Sequence, residues 1–287
     1  MADASPTTAR RRDPPRPCRP RGVGKVAALL LLTALGSPAA SMGTGRAEPN
    51  ESRRVGLAVG ADGMWGPQSG PLLSEYYEEF LRDRDLARFR ERVALRYSEE
   101  TLCRVLAASP QVSARRGAVL ALGVLGTFDG CNALLGRALR DDDAVVRTMA
   151  ERALWVVWFR ADAPENNQAL ESIRSLVAAE KLEEAVDRAT RLIARAPRFA
   201  EAYNQRAIAY FKQGDFARSA EDCIRTLTLN PFHVGALGGL AQCQLELGQP
   251  REALKTLRRG LKLQPHSEGL NEHVRMLEAR LESDGPR

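Results

Sequence analysis

The sequence predicts an all-α protein, an α-solenoid of stacked antiparallel helix pairs. Three prolines, Pro197, Pro231 and Pro265, follow one another at equal intervals. Small residues recur in register around them, and a second motif recurs upstream at a slightly shorter interval. Fixed intervals of this size indicate repeated helix pairs, each of which buries its apolar face only by stacking on its neighbours.

The charge of the chain is concentrated at its N-terminus. The 287 residues are 44% hydrophobic and carry a formal charge of +6. Residues 1–41 hold seven of the 42 basic and two of the 36 acidic residues, so the remainder has a net charge of +1. A nucleic-acid-binding surface requires a basic patch or stripe, which this balance argues against.

Residues 1–41 read as a secretory signal. Basic residues up to Lys25 precede an apolar run over 26–36, and small residues (SPAAS) follow it. This order is typical of a cleaved signal peptide. The run is much shorter than the roughly 20 residues that span a bilayer. We therefore predict export to a bacterial periplasm or secretion, with no stable membrane span after cleavage. An uncleaved apolar anchor is the alternative.

The next segments differ in composition. Residues 42–70 are rich in Gly, Pro and polar side chains and predict a disordered linker, in which Trp65 is the one residue suited to docking. Residues 71–99 predict N-terminal amphipathic helices. Their inward-facing positions are Leu73, Tyr77, Phe80, Leu86, Phe89 and Val93.

The upstream motif lies in residues 100–165. Residues 114–122 align with 146–154, and each copy follows another short helical segment, 101–108 or 132–139. The shared positions are Arg115, Ala118, Ala121 and Leu122 in the first copy, and Arg147, Ala150, Ala153 and Leu154 in the second. The segment resembles HEAT-like repeats of a shortened kind, which implies two further helix pairs.

The spacing of the prolines divides residues 166–267 into three segments, 166–199, 200–233 and 234–267. Ala207 and Ala241 occupy equivalent small positions, and Gly214 and Gly248 occupy equivalent turns. These segments resemble tetratricopeptide repeats. The first departs from the pattern, because Glu180 stands where the turn glycine is expected. Residues 268–283, with one apolar stripe, predict a terminal capping helix.

The resemblance implies a ligand groove lined by the first helix of each repeat. By position, its partner-binding residues are Arg174, Val177, Asn204, Ile208, Phe211, Lys212, Gln242 and Leu245. Some family members clamp a C-terminal carboxylate with a Lys/Asn/Arg set. Leu170, Arg174, Gln205, Gly235 and Gly239 stand at those positions here. The set is missing, so an apolar peptide suits this groove better than an acidic tail.

No catalytic, cofactor-binding or metal-binding residues are predicted. Nucleophile elbow, phosphate loop, CxxC and HExxH motifs are absent from the sequence. The run Asp141–Asp143 fits the N-terminus of a helix better than a metal site. His233 and His266 follow two of the repeat prolines, and His273 lies on the capping helix, with no recurring acidic partner.

Two groups of residues permit alternative interpretations. Trp155, Trp158 and Phe159 are expected to fill the junction with the first tetratricopeptide-like repeat, the alternative being an exposed anchor for a partner. Cys223 and Cys243 lie on neighbouring helices and are expected to be buried thiols, with a disulfide as the alternative.

The sequence thus predicts a non-enzymatic exported scaffold that binds protein or peptide partners without a cofactor. One alternative is an architectural subunit of an envelope complex. Another is an accessory HEAT-type module of an enzyme system, which requires a polar pocket where the two repeat arrays meet. The sequence does not specify the oligomeric state.

Overall fold

The structure, a computed structural model, describes residues 69–283, which form thirteen α-helices and no strands. The helices are α1 (Ser69–Asp83), α2 (Leu86–Ala94), α3 (Glu99–Ala108), α4 (Val112–Leu125), α5 (Phe128–Ala138), α6 (Ala144–Phe159), α7 (Pro164–Ala178), α8 (Leu182–Arg195), α9 (Ala200–Gln213), α10 (Phe216–Leu229), α11 (Val234–Glu246), α12 (Pro250–Leu263) and α13 (Glu268–Ser283). The fold is all-α, a series of stacked helix pairs. The predicted signal peptide, Trp65 and the linker up to residue 68 lie outside the described residues. Helix α1 begins at Ser69, just inside the range predicted as linker.

The first two helices pack on α4. Gly117 of α4 allows this contact, because a Cβ there would lie 3.1 Å from the backbone oxygen of Leu73. Phe89 and Val93 of α2 are also buried. The prediction that Leu86 faces inward was wrong, since it is exposed at the first turn of α2, directly after the N-cap Asp85.

Helices α3 to α6 pack as two pairs, α3 with α4 and α5 with α6, and α4 also packs along α6. The recurring alanines make this contact close, and a Cβ on Gly123 would lie 3.2 Å from the Cβ of Ala153. Arg116 joins the two pairs through a bidentate ion pair with Asp143, at 2.9 and 2.7 Å. As predicted, Asp143 caps α6, accepting a hydrogen bond of 2.9 Å from the backbone N–H of Val146.

Helices α7 to α12 form three further pairs, and each pair packs on the next. Two or three residues connect the helices of a pair, which favours antiparallel packing. Ala207 and Ala241 are buried, as tight packing requires. Glu180, Gly214 and Gly248 all have positive φ values, of 60°, 81° and 72°. The first repeat therefore makes the same left-handed turn without glycine.

The last helix, α13, packs on α12 through Val274 and Leu277, which are buried. Its other side is largely polar and exposed. No helix among residues 69–283 has the length and apolar character needed to cross a membrane.

Candidate partner-binding groove and the buried junction beside it

Five of the eight predicted groove residues are accessible to solvent. They lie on the first helices of successive pairs, which contact one another. Leu245 is 39% exposed, and the others are half-buried: Arg174, Ile208, Phe211 and Lys212. Positions 174 and 208 are one repeat apart, and so are positions 211 and 245. The periodicity thus places these side chains at equivalent points of one face.

The cations of this face are paired within the protein. Lys212 forms an ion pair with Glu180, the turn residue of the preceding repeat. Arg174 forms an ion pair with Glu171 at 3.2 Å. Beside Lys212, the ring of Phe211 meets the ring of Phe216 edge to face, at a centroid distance of 5.2 Å. The accessible surface therefore combines apolar side chains with cations that are already neutralised.

The other three predicted groove residues are buried, so their assignment to an open groove is corrected. Val177 belongs to the apolar core of the first repeat. Asn204 donates a hydrogen bond of 2.8 Å to Glu201 on its own helix. Gln242 is also buried. Neighbouring helices bury these positions. A repeat register derived from the sequence alone does not show which positions neighbouring helices bury.

Glu201 lies at the centre of a fully buried polar cluster. One of its carboxylate oxygens accepts hydrogen bonds from Asn204 and Gln205, at 2.8 and 2.9 Å. The other lies 2.8 Å from Nε2 of His233, whose side chain is also fully buried. Nδ1 of His233 accepts a hydrogen bond of 3.0 Å from the N–H of Ala236, so the ring hydrogen resides on Nε2 and Nε2 donates to Glu201.

A second set of hydrogen bonds connects α5 and α6 to the turn that contains Asn230, close to His233. The indole N–H of Trp158 donates to Asn132 at 2.7 Å, and the amide of Asn132 donates to Asn230 at 3.0 Å. The ring of Trp158 stacks on His233 with a centroid distance of 4.3 Å, and Trp155 meets His233 edge to face at 5.3 Å. These bonds join the upstream helices to the turn that opens the third repeat.

This arrangement corrects the prediction for the aromatic residues. Trp155 and Trp158 pack on His233 at the end of the second repeat, and Trp155 also lies against Gly235 of the third. Phe159 meets the first repeat, where the guanidinium of Arg174 lies 5.3 Å from its ring centroid. The partner of His233 could not be read from the local sequence, because Glu201 lies at the opposite end of the same segment, 200–233, and nothing in its local sequence marks it. The residue type gave one signal, since a buried His needs a hydrogen-bond partner.

Among residues 69–283, the cysteines and histidines form no metal site. No group of three or more His, Cys, Asp or Glu side chains in the described part of the chain is placed to hold a metal ion. Four cysteines there are free and buried. Burial raises the pKa of Cys131 to about 12. A hydrogen bond to Cys243, followed by burial, raises the pKa of Cys223.

Two family models of the tetratricopeptide repeat match the chain, over residues 170–223 and 213–281. Together the two matches cover residues 170–281, which are similar to tetratricopeptide repeats. A tetratricopeptide repeat-containing protein of Rhizobium etli is 33% identical over 115 residues, covering 40% of this chain and 53% of the relative. The human WD and tetratricopeptide repeats protein 1 is 38% identical over 77 residues, covering 26% of this chain and 11% of its own. The chain therefore spans about half the length of the first relative and about a tenth of the second.

Solved structures with tetratricopeptide domains resemble parts of the chain. The first tetratricopeptide domain of Spaghetti, bound to an HSP90 peptide, is 25% identical, with a TM-score of 0.40. It covers 42% of this chain and 95% of its own. The TPR2AB domain of yeast Sti1, in a pHSP90 complex, is 19% identical, with a TM-score of 0.37, and covers 74% of this chain and 98% of its own.

Proposed function

We propose that this protein is a non-enzymatic scaffold that binds a protein or peptide through the tetratricopeptide groove, outside the cytoplasm. The supporting observation is the exposed apolar face on successive first helices, where Ile208, Phe211 and Leu245 remain accessible. Groups of exposed apolar side chains on a folded protein commonly mark interaction sites. The relatives named for tetratricopeptide repeats support the same class of function.

An apolar peptide suits this face better than an acidic tail. Gly235 and Gly239 stand where family members that clamp a carboxylate carry cations, and the nearby cation Lys212 is already paired with Glu180. The HSP90 peptide in the Spaghetti complex makes acidic C-terminal peptides the natural comparison ligand. A peptide ending in EEVD should bind more weakly than an apolar peptide, and tighter binding of the acidic peptide would contradict this preference.

Crosslinking tests the location of the groove. A photocrosslinking residue at Leu245 in the full chain should capture a partner in the source cells, and one at Ile224, which is 53% exposed on a second helix, should not. Phe211→Ala should weaken capture at Leu245, because it removes an accessible apolar side chain from the same face. Equal capture at both positions, or none at Leu245, would contradict binding through this face.

Export is proposed from the N-terminal motif. If residues 1–41 are a cleaved signal, the mature protein from the source cells begins near residue 42. Terminal sequencing of the purified protein checks this, and a mature protein that retains residues 1–41 in the cytoplasm would contradict it. Retention of residues 1–41 with membrane association would instead support the uncleaved anchor.

Residues 100–165 are proposed to be shortened HEAT-like repeats. Two equivalent alanines, Ala118 and Ala150, are both fully buried at the contact between α4 and α6, as a repeated pair would require. In a crystal structure, superposition of α3–α4 on α5–α6 should align 114–122 with 146–154. A different register would contradict the assignment.

The alternative of an accessory HEAT-type module is less well supported. It calls for a polar pocket where the two arrays meet. There Glu201 bonds with His233 and Asn132 bonds with Asn230, and one buried atom, Nδ2 of Asn230, makes no hydrogen bond. Asn132, Asn230, Glu201 and His233 are all buried. The architectural alternative differs from a peptide-binding scaffold in one measurable respect, because an architectural subunit would bind no free peptide at the groove.

A further inference from the structure

Helix α6 crosses the tetratricopeptide region beside its groove. At one end, the ring of Phe159 contacts Arg174 of the first repeat. In the middle, Trp155 lies against the third, where a Cβ on Gly235 would be 3.0 Å from the indole ring. Towards the other end, Glu151 hydrogen-bonds with Gln264, just before α13. A helix from the upstream array therefore contacts the first repeat, the third repeat and the residue that follows α12.

The position of α5 shows which side of α6 faces the groove. Asn132 of α5 bonds to Asn230 in the turn before the third repeat, so α5 lies over the turns. Trp158 of α6 bonds to the same Asn132 and therefore points towards α5. Phe159 lies about 100° further around α6, and it contacts Arg174, well inside helix α7. The surface of α6 beyond Phe159 thus adjoins the helix bodies.

That surface is exposed and mostly apolar. Val145, Arg152 and Val156 follow one another at intervals of seven and four positions, so they lie on one edge of α6, next to Phe159. Val145 is 40% and Val156 is 49% exposed.

Arg152 is the cation of this edge that forms no ion pair within residues 69–283, although its charge interacts with the carboxylate of the adjacent Glu151. Arg174 is paired with Glu171 and Lys212 with Glu180. Arg152, by contrast, is exposed and forms no ion pair with any residue in the range 69–283. An acidic side chain of a partner has a complementary charge there. The exposed carboxylate of Glu246, at the far end of α11, disfavours a second acidic side chain near Leu245.

We infer that α6 is a second wall of the peptide groove, and that the groove selects apolar peptides carrying one carboxylate placed against Arg152. This inference rests on the proposed function and specifies its ligand. Val145 and Val156 contact the peptide on one side, and Ile208, Phe211 and Leu245 contact it on the other. The acidic side chain sets the direction in which the peptide lies.

Selection from a random peptide library tests the inference. The full chain and the full-chain variant Arg152→Glu are each used to select short peptides, with Arg251→Glu on α12 as the matched control. Both substituted sites are exposed, so circular dichroism and thermal midpoints should equal those of the parent. The parent and the control should select apolar peptides with one Asp or Glu. The Arg152→Glu variant should select Lys or Arg at that place and bind the parent's peptides about tenfold more weakly.

The outcomes separate the inference from the proposed function. If Arg152→Glu selects the same peptides as the parent, and these peptides still compete with binding at Leu245, the groove exists but α6 is not its wall. If the parent selects no peptide whose binding Leu245→Asp abolishes, the proposed function fails and the inference fails with it. A reversal of the selected charge confined to Arg152→Glu supports the inference.

Discussion

Gly136→Ala tests whether the upstream helices are docked on the turn between the second and third repeats. Gly136 lies in α5, and a Cβ there would lie 2.2 Å from Cδ1, 2.5 Å from Cγ and 2.8 Å from Cε1 of Phe232. Carbon atoms in contact normally lie about 3.5–4.0 Å apart. To reach a normal contact distance, the Phe232 ring must move away by about 1 Å. The packing of α5 on the turn before α11 then becomes less close.

The expected effect follows from two opposing contributions. Replacing Gly by Ala inside a helix stabilises a protein by about 0.5–1 kcal/mol when nothing obstructs the methyl group. Overpacking costs about 1–3 kcal/mol. We expect a net loss of about 1 kcal/mol of unfolding free energy for Gly136→Ala. The matched control is Gly238→Ala in α11, where a Cβ meets nothing within 4 Å, and that variant should gain about 0.5–1 kcal/mol.

Urea unfolding measures both variants, with the midpoint compared at an unchanged m-value. In a Phe232→Ala background the obstruction is gone, so Gly136→Ala should become stabilising by about 0.5–1 kcal/mol. The two changes should therefore couple in a double-mutant cycle. Should Gly136→Ala stabilise the parent as Gly238→Ala does, the contact between α5 and Phe232 does not exist.

Two further predictions concern the junction and the acid limit. Trp158→Phe leaves the buried oxygen of Asn132 without its donor and should cost about 1–3 kcal/mol of unfolding free energy, more than Trp155→Phe, whose side chain is only partly buried. Equal costs would contradict the buried hydrogen bond. A hydrogen bond from Arg116 chiefly lowers the pKa of Asp143 to about 2, below the roughly 3.9 of an unfolded chain. The unfolded state therefore binds more protons, and this stabilisation is present above about pH 4 and lost as pH falls towards 2. The Asp143→Asn variant should have a lower unfolding free energy than the parent at about pH 7. In urea titrations, this difference in unfolding free energy should shrink as the pH falls from about 4 towards 2. A difference that stays constant over this pH range would contradict the ion pair.

Much of the helical architecture was predictable because it depends on local periodicity in the sequence. The equal spacing of Pro197, Pro231 and Pro265 and the equivalent small residues Ala207 and Ala241 predict the all-α fold and its repeats. These features depend on contacts within a helix pair or between adjacent pairs, so they can be recognised in short stretches of sequence. Asp143 was predictable as a cap for the same reason, since its hydrogen bond reaches only to Val146.

The candidate site was only partly predictable. Repeat position assigned Val177 and Asn204 to the groove, but both are buried, one in the core of the first repeat and the other beside Glu201. The alternative that Trp155 and Trp158 serve as an exposed anchor was also a reading of local pattern. Their actual partner, His233, is distant from both in the sequence and precedes the first helix of the third repeat.

The sequence by itself determined that the chain forms stacked helices, where the tetratricopeptide-like repeats lie and that Gly214 and Gly248 adopt left-handed backbone. Only the tertiary structure decided that α5 and α6 dock on the turn between the second and third repeats, and that Glu201, His233 and Trp158 meet in one buried cluster. The physical reason is the distance along the sequence between the residues that interact. Helix periodicity, caps and turns depend on residues a few positions apart, whereas docking depends on shape and hydrogen bonds between surfaces that only the folded chain brings together.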